Sequence, residues 1–124
     1  MPEYDEGIAL MTMVRLYEGR VPQLRMLIHV PNGGARDVIT GAKLKASGVK
    51  RGVPDYILFV ARGEYHGLAI ELKRLRGGTL SPEQKEWLND LRSEGWRAEV
   101  CCGHTAAWRV LEDYLGALMP LQFG

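Results

Sequence analysis

The chain has 124 residues, of which 46% are hydrophobic and 25% charged, and its formal net charge is +1. That length favours a single domain, residues 1–124, able to bury roughly two thirds of its unfolded surface without staples. Near-neutrality excludes a chain-wide positive field, and no apolar run approaches the ~20 residues of a membrane span. Met1 is followed by Pro2, Glu3, Asp5 and Glu6 rather than by a basic leader, so a cytoplasmic location is expected. The two cysteines, Cys101 and Cys102, are adjacent and without metal spacing, and are expected to be buried structural thiols.

The first element is a helix over Pro2 to Glu18, with Leu10, Met13, Val14 and Tyr17 at i, i+3, i+4 and i+7. The same period carried backwards places Glu6 and Glu3 on the inward stripe. Acids in a first turn favour the positive end of the helix dipole, but inward acids also suit a site at the edge of a core. "LRMLIHV" (Leu24 to Val30) predicts a strand and "PNGGARD" a loop. Val38 to Ser47 predicts a short helix stopped by Gly48. Asp55 to Ala61 and Tyr65 to Lys73 predict an antiparallel hairpin around "RGEYH". "LSPEQ" is a helix start, with Ser81 as N-cap, Pro82 at N1 and Gln84 closing a capping box. Trp87, Leu88 and Leu91 form the apolar stripe of that helix, and Gly95 ends it. Arg97 to Cys102 predicts a further strand. Thr105 to Leu118 predicts a last helix with Trp108, Leu111 and Leu115 on one face. The order makes an α/β protein, a mixed sheet with helices packed against it.

In the second hairpin strand, residues two apart share a face. Leu68, Ile70 and Leu72 then point to a core, while Ala69, Glu71 and Lys73 point the other way. Hairpin pairing brings Asp55 to the end that carries Glu71 and Lys73. A frayed-edge ion pair there would contribute only about 0–1 kcal/mol. The alternative is a hard-cation site: Mg²⁺ takes oxygen ligands and typically uses one or two carboxylates with substrate phosphate oxygens. Asp55 and Glu71 would supply carboxylates, and the Leu72 carbonyl a third ligand. Lys73 would orient or deprotonate an attacking water. The implied chemistry is phosphodiester hydrolysis. Two acid-free basic stretches adjoin this hairpin: "KLKASGVKR", with Lys43, Lys45, Lys50 and Arg51, and "KRLRGG", with Arg74 and Arg76. They are either solvated surface or, for Lys45, Lys50, Arg51, Arg74 and Arg76, phosphate contacts. Gly48 and Gly52 would let backbone approach the strand that carries Asp55. His29 reads as a satisfied histidine near the core, and His66 and His104 as incidental.

Pro54-Asp55 followed by Glu71-Leu72-Lys73 resembles the PD-(D/E)XK nuclease signature. The stretches "PNGG", "LKASGVKRGVPD", "HGLAIELKR", "LSPEQKEWLNDLRSEGW" and "AEVCCGHTAAWRVLEDYL" together resemble the VRR-NUC branch, in the compact form found alone in phages and bacteria. The resemblance covers nearly the whole chain. It implies a restriction-endonuclease-like αβββαβ core, Mg²⁺ or Mn²⁺ dependence and endonuclease action on DNA, with no nucleotide cofactor. It also implies an acid from the first helix in the metal site: Glu3 by position, with Glu6 the second choice. The glutamine that the family usually carries four residues after that acid is replaced here by Gly7. Gln84 matches a site glutamine of the family as well as a capping box. Branched DNA, four-way (Holliday) junctions in particular, and a homodimer are implied in the same way. The apolar tail with Leu115, Leu118, Met119, Leu121 and Phe123 would either serve that dimer or pack on its own core. A DNA-binding module without catalysis, and a flap or nicking nuclease, are the competing readings.

Overall fold

The strand Leu68–Lys73 (β3) is buried at all six of its positions, two charged ones among them. A strand covered on both faces needs a partner on each edge and a layer on each side. The computed structural model, which describes residues 1–31 and 38–116, supplies both. β3 pairs antiparallel with β2 (Tyr56–Leu58) and parallel with β4 (Arg97–Cys102), and β2 pairs antiparallel with β1 (Leu27–His29). The sheet order is β1-β2-β3-β4. On one face Leu68, Ile70 and Leu72 join Leu10 and Val14 of α1 (Glu3–Tyr17) and Trp108 and Leu111 of α4 (His104–Leu115). On the other face Ala69, Ile57 and Ala98 meet Leu88 of α3 (Pro82–Ser93). α2 (Val38–Ala46) buries no residue. The architecture is the expected mixed sheet flanked by helices. Among the described residues no helix is long and apolar enough to cross a membrane.

Local chemistry accounts for the ends of the elements. Ser81 Oγ accepts the Gln84 backbone N–H at 3.1 Å and Gln84 Oε1 accepts the Ser81 N–H at 2.9 Å, which completes the capping box that starts α3. α4 stops at Leu115, three residues earlier than its periodicity predicts, because Gly116 turns left-handed at φ 64°. The predicted strand from Leu24 begins as a 3₁₀ turn, Pro22–Met26. Pro22 donates no backbone hydrogen bond and fixes its own φ, so pairing starts only at Leu27. Both hairpin strands are shorter than the apolar runs that predict them, with a single bridge between Arg62 and Tyr65 beyond the ladder. Cys101 is buried but Cys102, turned by alternation to the other face of β4, is exposed, so only one of the two thiols is a core residue. Asn32 to Asp37 and the tail residues Leu118, Met119, Leu121 and Phe123 lie outside the described residues.

Glu6 and His104 tie the start of α1 to the start of α4. Glu6 is 1% exposed. One of its oxygens, Oε1, accepts the His104 backbone N–H at 3.2 Å and makes a short contact with His104 Nδ1. Burial works to raise the Glu6 pKa, but the His104 hydrogen bonds and charge outweigh it and leave the value below the ordinary 4.5. His104, incidental in the sequence, is therefore a structural partner. Replacing Glu6 with Gln is expected to lower stability by about 1–3 kcal/mol at neutral pH, since a charge-assisted bond in a buried site is lost. Because the folded value is depressed, the ionised Glu6 contributes above about pH 4.5 and its share fades as the pH falls through the lowered value. Urea denaturation of both proteins at pH 7 and at pH 3 checks this: the gap between them should narrow in acid, and a constant gap would contradict the assignment.

Candidate metal centre and nucleic-acid interface

The end of β3 holds the acids where the sequence places them. Pairing of Tyr56 with Ile70 sets Asp55 beside the last residues of β3. Asp55 is fixed from both sides. Its Oδ2 accepts the Leu72 backbone N–H at 2.8 Å. Its carbonyl accepts the Val30 N–H at 2.7 Å and His29 Nδ1–H at 2.9 Å. His29 is an exposed side chain on β1, not a core histidine, and its ring lies 5.0 Å from that of Tyr56.

Glu71 and Lys73 share the face of β3 that is covered by α3. Lys73 Nζ lies 3.3 Å from Glu71 Oε2 and donates to Gln84 Oε1 at 3.2 Å. Gln84 Nε2 donates to Glu71 Oε2 at 3.2 Å. One amide therefore caps α3, holds the ammonium and holds the carboxyl group. The capping and site readings of Gln84 are the same structure. Gly52, at φ 83°, seats the preceding loop on the α3 start, where an added Cβ would fall 2.6 Å from the Glu83 carbonyl carbon. The close approach that Gly52 permits is thus to α3, not to the strand carrying Asp55. Gly48, at φ 106°, meets nothing nearby and serves the turn after α2.

Glu3, Asp55 and Glu71 each present an oxygen, and these atoms all lie within 4.8 Å of one another. Glu3 is exposed, Asp55 half-buried and Glu71 buried. Glu6, the other candidate from α1, is engaged with His104 and outside this group. Burial, followed by the Asp55 charge and its contact, pushes the Glu71 pKa up to about 8, against the opposing effect of Lys73. Two carboxyl groups this close do not both ionise readily without a cation between them. Glu71 Oε1 is buried and meets no hydrogen-bond donor among the described residues. An orphaned buried oxygen beside two further carboxylates fits a hard divalent ion, which binds through oxygen.

The basic residues border this group on two sides. Lys45, Lys50 and Arg51 are exposed, and the Arg51 carbonyl accepts Trp87 Nε1–H at 3.1 Å, which anchors their loop to α3. Arg74 and Arg76 are exposed and line a hollow of about 480 Å³ with Met1 and Pro2, next to the start of α1 that carries Glu3. Periodicity that identifies the core of α1 passed over a second feature: Tyr4, Ile8, Met11 and Arg15 line a cleft of about 390 Å³ together with Glu3 and Asp55. Their spacing of i, i+4, i+7 and i+11 is a second helical stripe, legible in the sequence once the buried stripe is set aside.

Comparison with known proteins bears on the family and the fold. No curated protein matches the chain. A solved structure described as a VRR_NUC domain protein is 34% identical, with a TM-score of 0.72, over 87% of this chain and 86% of its own. The family model for the VRR-NUC domain matches residues 15–105, a span that contains Asp55, Glu71, Lys73 and Gln84 and leaves Glu3 upstream. The chain belongs to the VRR-NUC domain family, and its fold is of the nuclease type.

Proposed function

We propose that the chain is a metal-dependent endodeoxyribonuclease, one domain over residues 1–124, that hydrolyses phosphodiesters in branched DNA as a two-fold homodimer. The observation that carries the reading is the group Glu3, Asp55 and Glu71 lying against Lys73 and Gln84 in a member of a nuclease family. Glu3, Asp55, Glu71 and the Leu72 carbonyl would hold Mg²⁺ or Mn²⁺. When bound, the cation polarises the scissile phosphate and offsets the charge that builds on it. Lys73, fixed by Glu71 and Gln84, orients the attacking water. Gln84 keeps both of its partners in register with α3. Asp55, tied to the Leu72 N–H, keeps its carboxylate at the end of the strand.

Four-way junctions are the substrate that the family resemblance implies, and a homodimer answers their symmetry. One such site cuts one strand, whereas resolving a junction needs two matched cuts, and a C₂ dimer presents two related sites. A panel of labelled linear, flapped and four-way DNAs, each with and without Mg²⁺ or Mn²⁺, tests the reading. Cleavage should require the cation and be fastest on the junction, and sedimentation equilibrium should give a dimer. Asp55→Ala, Glu71→Ala and Lys73→Ala should each lower kcat by about 100-fold or more with the fold retained, and Glu3→Gln should cost more activity than Glu6→Gln. A monomer that cuts linear duplex as fast as a junction would leave only a small metal-dependent nuclease. Binding to every DNA with cleavage of none would leave a binding module.

Cation binding must displace the proton that Glu71 holds up to about pH 8. Mn²⁺ affinity should therefore climb with pH through the neutral range and level off above about pH 8. Calorimetry at pH 7 in buffers of different ionisation enthalpy should register about one proton released per cation. An affinity that is flat from pH 6 to pH 8.5 would remove Glu71 from the metal shell.

The basic borders predict a salt effect. Neutralising Lys45, Lys50 and Arg51 together should raise the Kd for duplex DNA and make its logarithmic salt dependence shallower by up to about 2–3, because fewer counterions are released. Binding isotherms over a range of NaCl concentrations measure this. An unchanged slope would return the three residues to solvated surface.

A further inference from the structure

The second stripe of α1, exposed except for Met11 at the edge of the core, begins at the carboxylates. Tyr4 is 79% exposed and Ile8 51% exposed, and with Met11 and Arg15 they line the cleft of about 390 Å³ that also contains Glu3 and Asp55. From Glu3 to Arg15 the helix rises about 18 Å, so the cleft leads away from the carboxylate group along α1. Buried Tyr56, Leu72 and Gly7 form its floor. Gly7 is a condition for that floor, because a Cβ there would stand 2.5 Å from the Tyr56 hydroxyl oxygen. His29, its ring tilted 40° to that of Tyr56, also lines the cleft.

We propose that this cleft is a nucleoside subsite, which takes the base and sugar of one unpaired nucleotide adjoining the phosphate held at the carboxylate group. The inference rests on the nuclease reading and names what that site selects. The cleft is continuous with Glu3 and Asp55, so a nucleoside in it would adjoin a phosphate held there. Tyr4, Ile8 and Met11 offer apolar faces for a base, whereas Arg15 suits the phosphate on the far side of the nucleoside. The volume falls within the range of small-molecule sites, about 300–1,000 Å³. A base stacked inside a duplex is covered on both faces and cannot enter, so the occupant is a base already unpaired, or readily unpaired, at a branch point. Tyr4, Ile8 and Arg15 are then specificity-determining residues, and selection for branched DNA comes from the cost of unstacking in intact duplex.

The test uses the full chain with Mn²⁺ and a set of otherwise identical branched DNAs, each with one abasic nucleotide at a different position around the mapped cut. Wild-type kcat/KM should fall by about 5- to 150-fold at one position adjoining the cut and change little elsewhere. Ile8→Trp, which fills the cleft, and Tyr4→Ala should lose a similar factor on intact DNA and become indifferent to the abasic position. Both replace exposed side chains, and thermal unfolding checks that the fold is kept. 2-Aminopurine at the sensitive position should brighten on binding to wild type and not to Ile8→Trp. Wild-type indifference to every abasic position overturns the subsite and leaves the nuclease reading standing. Abasic sensitivity that persists in both variants also overturns it. A change of sedimentation in Ile8→Trp with abasic sensitivity intact overturns it in favour of a contact between two copies of the chain. Failure of wild type to cut any of the DNAs overturns the nuclease reading and the subsite together.

Discussion

Glu71 is 1% exposed on the face of β3 that α3 covers, and that burial constrains everything around it. A carboxyl group removed from water has to be neutral, paired or coordinated. Lys73 and the Gln84 amide provide for Oε2, while Oε1 meets no donor among the described residues. The result is a protonated group in the cation-free protein, its pKa raised to about 8. Glu6 also leaves one buried oxygen without a partner, but two further carboxylates stand beside Glu71 and not beside Glu6 among the described residues. The observed arrangement accepts a local deficit that a cation at Glu3, Asp55 and Glu71 would relieve, as expected of groups retained for chemistry.

The rest of the fold maintains that deficit. β3 can carry Glu71 and Lys73 because α3 covers its second face, and α3 is held in place by Gln84, Trp87 and the Gly52 contact. Opposite, α1 is anchored by Leu10 and Val14 in the core and by Glu6 on His104. That anchoring leaves Glu3, one turn earlier, exposed and free to meet Asp55. The two acids of the first helical turn therefore divide their roles by burial. Glu6 secures the helix, and Glu3 joins the carboxylates.

Period-two and period-3.6 patterns made much of this legible in the sequence. Alternation along β3 separates Leu68, Ile70 and Leu72 from Ala69, Glu71 and Lys73, and hairpin pairing brings Asp55 to them without any knowledge of the tertiary structure. Ser81, Pro82 and Gln84 announce the start of α3 through local bonds alone. The Glu6–His104 pair was not legible, since its partners are 98 residues apart and neither local chemistry nor spacing links them. The exposure of Cys102 and His29 was likewise hidden, because it depends on which side of β4 and β1 is left uncovered. Ladder lengths were overestimated for a related reason: apolar runs persist beyond the paired residues, and Val60 is buried without belonging to a strand.

Gly7 shows how one missing side chain reshapes the surroundings of a site. VRR-NUC resemblance leads to a glutamine four residues after the helix acid, and here that position has no Cβ. The space is taken by the Tyr56 hydroxyl, which lies where a side chain at position 7 would begin. Any larger residue would have to displace Tyr56, which is 4% exposed and packed in the main core. The cleft beside the carboxylates therefore has Tyr56 in its floor rather than a side chain from position 7 of α1. That aromatic floor offers an apolar face next to them. Among the described residues the amide that does contact these carboxylates is Gln84, which donates to Glu71 and is fixed by its capping box on α3, across the sheet from α1.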